Sequence, residues 1–216
     1  MLEQKLRNLV AGEELDYTLL VSALSGYKRP RDKITSLLRK GVLVRIKKGL
    51  YVFGPEFARR PYSRGILANL IFGPSCVSLQ YALARHGLIP EHAASVTSVT
   101  PKRDKLFDTP AGRFTYRYLR PDRYAVGVDR ETVAEESSFL IATPEKALAD
   151  LLLLSAPDHR HETPGELLRY LIDDLRCDEE SLADLNSGQL EEIAEVYRNR
   201  KTDLLVRAIE EIGDKR

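Results

Sequence analysis

The sequence predicts an α+β protein in two units, and three observations predict it. Apolar residues recur at helical spacing from Leu2 to Leu38, and then the period changes to two over residues 42–53. A second switch follows, from two helix-like stretches at 63–86 to β-prone runs between 95 and 142. Beyond Thr143 the pattern is helical again, with a cap before each apolar run.

The first helix carries Leu2, Leu6, Leu9 and Val10 and ends at Gly12. Asp16 is the N-cap of a second helix with Leu19, Leu20, Ala23 and Leu24 as its stripe. Ser25-Gly26 interrupts the chain, and Pro30 then suits the first turn of a third helix that Gly41 closes. Ile34, Leu37 and Leu38 define its buried face. The other side carries Arg29, Asp32, Ser36 and Arg39, flanked by Lys28, Arg31, Lys33 and Lys40. Such cations bind phosphates or guanine edges, and hydroxyls bond to either phosphate or base.

VLVRIKKGLYVFG follows at once. Val42–Ile46 and Leu50–Phe53 read as two strands joined by a tight turn, with Arg45, Lys47 and Lys48 at its cationic end. A turn alone needs no cations, whereas a turn beside a polyanion does. Two helices, a cationic helix and a cationic hairpin form the order of a winged helix-turn-helix, expected over residues 1–60. Winged helices also serve as protein-interaction modules, so the charge carries the DNA reading. Arg59-Arg60-Pro61 reads as a linker whose cations could also extend a DNA footprint.

The second unit, 61–216, is expected to be an α+β domain with a C-terminal helical bundle starting near residue 160. Helices are expected near Ser63–Phe72 and Val77–His86, separated by Gly73-Pro74-Ser75. SVTSVT, RFTYRYLR, YAVGV and FLIA read as strands, with a turn at residues 108–112. Thr143 and Pro144 open another helix, Thr163–Glu166 is a capping box, and two helices follow at about Ser187–Arg198 and Lys201–Ile212.

The net charge of +1 hides a segregation. Residues 1–127 hold 22 Lys and Arg against 10 Asp and Glu, whereas residues 128–216 hold 11 against 22. A net +12 beside a net −11 points to a nucleic-acid face and a second surface of different character. The longest apolar run, residues 147–156, contains Asp150 and fits a buried helix, so no membrane span is expected. The N-terminus MLEQKLRNLV lacks the pattern of a signal peptide. With Cys76 and Cys177 isolated from each other, a reducing compartment and no disulfide framework are expected.

Four blocks resemble the AbiEi-type antitoxins of type IV toxin–antitoxin (abortive infection) systems and their related transcriptional regulators. They are RKGVLVRIKKGLYVF at Arg39–Phe53, VSLQYALARHGLIPE at Val77–Glu91, SVTPKRDKLFDTPAGRFTYRYL at Ser98–Leu119 and IATPEKALADLL at Ile141–Leu152. Their order and spacing follow the family pattern over about residues 1–155, and the C-terminal helices match less clearly. The resemblance implies a bacterial or archaeal cytoplasmic protein, an autorepressor that binds inverted repeats in double-stranded DNA upstream of its own operon. It also implies an antitoxin countering a nucleotidyltransferase-like toxin, without requiring a stable complex with it. Lys102, Arg103, Lys105, Glu145 and Lys146 are the candidate antitoxin surface.

Enzymatic readings are weaker. Asp158-His159-Arg160-His161-Glu162 has two imidazoles at i, i+2, but no third or fourth ligand completes a metal site, and a solvated loop is the plainer reading. Glu145, Lys146 and Asp150 invite comparison with a metal-dependent nuclease, yet the Glu-Lys spacing is wrong and the pair opens a helix, where a capped start with a surface pair is expected. Pro101–Lys105 is a basic loop that either touches a nucleic acid or is an exposed turn. No catalytic residue, metal or cofactor is expected. A stand-alone regulator with a ligand-binding or dimerisation domain is the alternative to the antitoxin reading. The oligomeric state stays open between a dimer and two monomers side by side on an inverted repeat.

Overall fold

The computed structural model describes residues 2–91, 93–134, 137–155 and 161–213. The architecture is mixed α+β, with two sheets.

The N-terminal elements are α1 (Leu2–Leu9), β1 (Glu14–Asp16), α2 (Tyr17–Ala23), α3 (Pro30–Arg39), β2 (Leu43–Lys47) and β3 (Leu50–Phe53). Asp16 caps α2 by accepting from the Leu19 backbone amide at 2.7 Å. Pro30 occupies the first turn of α3, and Gly41 follows the helix at φ 69°, a conformation that favours glycine. Leu6, Val10, Leu15, Leu20, Leu24, Ile34, Leu37, Leu43, Tyr51 and Phe53 build the small core beneath α1–α3.

β1 is an addition to the sequence expectation. It pairs antiparallel with β3, Leu15 opposite Tyr51, which gives a three-stranded sheet in the order β1-β3-β2. Three residues are too few to show a period of two. The strand exists because β3 offers it a free edge.

β3 is buried along its whole length. Tyr51 and Phe53 point into the small core, while Leu50 and Val52, with Ile46 of β2, join the larger core formed by residues 67–212. The far face of the hairpin is therefore covered by the second unit. Alternation along a strand sends neighbouring side chains to opposite faces, and here both faces are dry.

That larger core is organised by a six-stranded mixed sheet, order β6-β7-β5-β4-β9-β8. Its strands are β4 (Cys76–Val77), β5 (Val96–Thr100), β6 (Lys105–Thr109), β7 (Gly112–Tyr118), β8 (Val128–Ala134) and β9 (Ser137–Ala142). β5 runs parallel to β7, and β4 parallel to β9. Helices α4 (Arg64–Ile71), α5 (Leu79–Arg85) and α7 (Pro144–Leu154) pack around it. The C-terminal helices are α8 (Pro164–Arg169), continued by a π turn at Tyr170–Asp174, then α9 (Glu179–Ala183), α10 (Ser187–Tyr197) and α11 (Arg200–Gly213).

YAVGV is not a strand. Pro121 starts a short helix, α6 (Pro121–Ala125), and β8 begins only at Val128. Pro121 and Asp122 supply a helix start that outweighs the β-propensity of Tyr124 and Val126. Gly127 then turns the chain at φ 66°, where a Cβ would lie 2.8 Å from that of Lys146.

Candidate nucleic-acid interface

The residues expected to bind DNA fall into exposed and engaged groups. Ile34 and Leu37 fix α3 against the small core, which turns Arg29, Asp32, Ser36 and Arg39 outward. Lys28, Arg29, Arg31, Arg39 and Lys40 are exposed, and Lys33 and Ser36 are half-buried. Two neighbours not singled out by the sequence hold the N-terminal end of this surface. The Tyr17 hydroxyl accepts from Arg31 Nε at 2.8 Å, and Lys33 Nζ lies 5.2 Å from the Tyr27 ring centroid. Arg29 stands 3.9 Å from Asp32, an exposed pair of little energetic weight. Lys40 is more firmly held, 2.8 Å from Glu3 of α1. Its hydrogen bond is the main reason the Glu3 carboxyl is held down to about 2.

The hairpin divides its cations. Arg45 and Lys48 are exposed, and Arg45 lies 5.9 Å from the Tyr51 ring centroid. Lys47 is half-buried and donates to the carbonyl oxygen of Ile71 at the end of α4. Burial pushes its ammonium below the usual lysine range. Lys47 therefore braces the hairpin against the second unit, where the sequence reading expected it free beside a phosphate. Among the described residues, no acidic side chain pairs with Lys28, Arg39, Arg45 or Lys48.

The candidate antitoxin surface separates in the same way. Lys102, Arg103 and Lys105 are exposed. Glu145 and Lys146 are not on a surface at all: Lys146 has 0 % of its area exposed and Glu145 5 %. The expectation fails because α7 is covered by neighbours remote in sequence. Thr143 does cap α7, accepting from the Lys146 amide at 3.3 Å, but α6 and α10 lie over that first turn. Glu145 accepts from the Asn186 amide at 2.8 Å, which anchors the loop before α10.

Lys146 donates to the Arg123 carbonyl and the Tyr197 hydroxyl, both at 2.8 Å, and faces Asp150 at 3.5 Å. Tyr197 donates to Asp150 Oδ1 at 2.5 Å, and Ser78 donates to Oδ2 at 2.7 Å. Burial raises the Asp150 carboxyl against the pull of Lys146, and burial and Asp150 raise the Tyr197 phenol. Lys146, Asp150, Tyr197 and Ser78 are each fully buried, so the cluster fastens helices together and offers a substrate no access. Asp150 inside an apolar run was the sequence signal for it.

Of the imidazole-bearing loop, residues 158–160 lie outside the described residues. Among the described residues, no group of three or more His, Cys, Asp or Glu side chains is placed to hold a metal ion. No described helix is long and apolar enough to cross a membrane. A groove of about 540 Å³ runs along the seam between the two units, lined by Val44, Ile46 and Val52 of the hairpin and by Arg59, Arg60 and Tyr62 of the linker. In comparison with known proteins, the chain matches no family model and no curated protein.

Proposed function

We propose that the chain is a DNA-binding transcriptional autorepressor whose first 60 residues act as a winged helix-turn-helix, α3 entering the major groove and the β2–β3 hairpin lying along the backbone. The observation that carries the reading is the outward face of α3. Arg29, Ser36 and Arg39 point away from the core, with Lys28 and Arg31 beside them and Lys48 on the adjoining hairpin. A major groove admits one α-helix, and that face offers it both phosphate-binding and base-reading groups. The antitoxin role, against a nucleotidyltransferase-like toxin, rests on the resemblance of the four sequence blocks.

Fluorescence anisotropy against the DNA upstream of the gene and against unrelated duplex, over a salt series, tests the DNA half. Tight binding confined to the upstream duplex, weakening as salt rises, is expected. Equal, weak binding to both duplexes would remove the sequence-specific reading. Co-expression with the neighbouring toxin tests the other half, and growth rescue is the expected result.

A stand-alone regulator that binds a ligand is the second reading, favoured by the seam groove. Its volume of about 540 Å³ suits a small molecule, and a ligand there would touch the hairpin directly. Failure of growth rescue with DNA binding intact would favour it.

A further inference from the structure

A continuous series of contacts leads from the N-terminal end of α3 to the basic loop of the second unit. Arg31 donates to the Tyr17 hydroxyl at 2.8 Å, and the Tyr17 amide donates to the Gly49 carbonyl at 2.9 Å in the hairpin turn. Beside Gly49, Lys47 donates to the Ile71 carbonyl, and Lys102 donates to the carbonyl of Gly73, two residues further on, at 2.6 Å. Both lysines thus close the same end of α4. Lys47 and Lys105 also share one aromatic ring, lying 6.0 and 5.9 Å from the Phe107 centroid. Phe72 packs against that ring, centroids 5.9 Å apart and planes tilted by 47°, and has Lys102 Nζ 5.5 Å from its own centroid.

The loop's charge is also in excess. Asp104 is paired with Arg117 at 3.1 Å, and Asp108 with Arg113 at 2.8 Å. Lys102, Arg103 and Lys105 remain exposed, with no acidic partner among the described residues. Through Phe107 and the end of α4 the loop adjoins the strand that carries Lys47, next to the turn that Tyr17 ties to Arg31.

We propose that this loop is a second duplex-binding element: Lys102, Arg103 and Lys105 take the phosphate backbone of the DNA flanking the site occupied by α3 and the hairpin. The inference rests on the DNA-binding reading above. The occupant is a duplex because the loop adjoins the hairpin of the proposed interface and carries unpaired charge of the same sign. The loop's exposed members are long cations suited to successive phosphates, and they carry no base-reading requirement.

The test compares the full chain, its Lys48→Ala variant, and the Arg103→Ala/Lys105→Ala and Lys102→Ala/Arg103→Ala/Lys105→Ala variants. Each is titrated against upstream DNA across a salt series, with hydroxyl-radical footprinting. The double variant leaves the Lys102 hydrogen bond in place, and thermal melts check the fold of both. The triple variant is expected to reduce the salt slope by about 2 to 3 and the double variant by about 2, at roughly 0.9 per phosphate lost. The footprint should shorten at one edge while Lys48→Ala leaves that edge unchanged. If Lys48→Ala lowers the slope but the loop variants bind and footprint like the parent, the loop proposal is wrong and the DNA reading stands. If the parent itself shows no salt-dependent binding to any duplex, both fall.

Discussion

The ammonium of Lys47 donates to the carbonyl oxygen of Ile71, so a cation of the N-terminal hairpin closes the end of a helix in the second unit. Ile46, Leu50 and Val52 add apolar contact at the same seam. The hairpin is thus clamped, and its two adjacent lysines have different tasks.

Lys47→Ala should lower unfolding free energy by about 1 kcal/mol, through the lost hydrogen bond and the lost packing of its stem. Lys48→Ala, at an exposed position, should stay within about 0.5 kcal/mol of the parent. Urea denaturation reads both. Equal effects would contradict the division of roles.

In DNA binding the order should reverse. Lys48→Ala should reduce the salt slope by about 0.9, the value of one phosphate contact. Arg39→Ala should weaken binding more than Lys40→Ala, because Lys40 is already 2.8 Å from Glu3. A loss of about 1–3 kcal/mol, dependent on operator sequence, is expected if Arg39 reads a base. Anisotropy titrations with operator variants separate the cases.

Lys146→Met should destabilise the fold by about 3–5 kcal/mol, since it strands the buried carboxylate of Asp150. Adding Asp150→Asn should recover part of that loss. Tyr197→Phe removes the donor to Asp150 and the acceptor of Lys146, for about 1–3 kcal/mol. Chemical denaturation of the single and double variants measures the coupling, and strictly additive losses would refute it.

Stability should decline in alkali. Burial, reinforced by the charge of Glu91, pushes the Cys177 thiol from 9.0 up to about 11. A raised folded-state pKa contributes stability that is complete below pH 9 and disappears as pH rises through about 11. The slope of unfolding free energy against pH over that window should be shallower in Cys177→Ser. An identical slope would exclude the thiol as a contributor.

Short-range signals were legible in the residues themselves. Asp16 caps α2, Gly41 follows α3 at positive φ, and Thr163 accepts from the Glu166 amide at 3.3 Å. Each depends on partners within a few positions, so the local string contains the whole interaction. β1 was missed for the opposite reason, and β8 because its residues show no apolar face. Glu14–Asp16 is a strand only beside β3, and Val128–Ala134 carries a burial pattern too weak to show a face.

The sequence by itself determined the capped helices, the cationic outer face of α3 and the basic hairpin, because spacing along a helix or strand decides which side chains share a face. Only the tertiary structure decided which polar groups are free. It placed Lys146 beneath Tyr197 and Arg123, and it drew Lys47 to Ile71 while leaving Lys48 exposed. A lysine's exposure depends on what packs over it, and those partners lie 23 to 51 residues away in the chain. Spacing along the chain carries no record of contacts at that range.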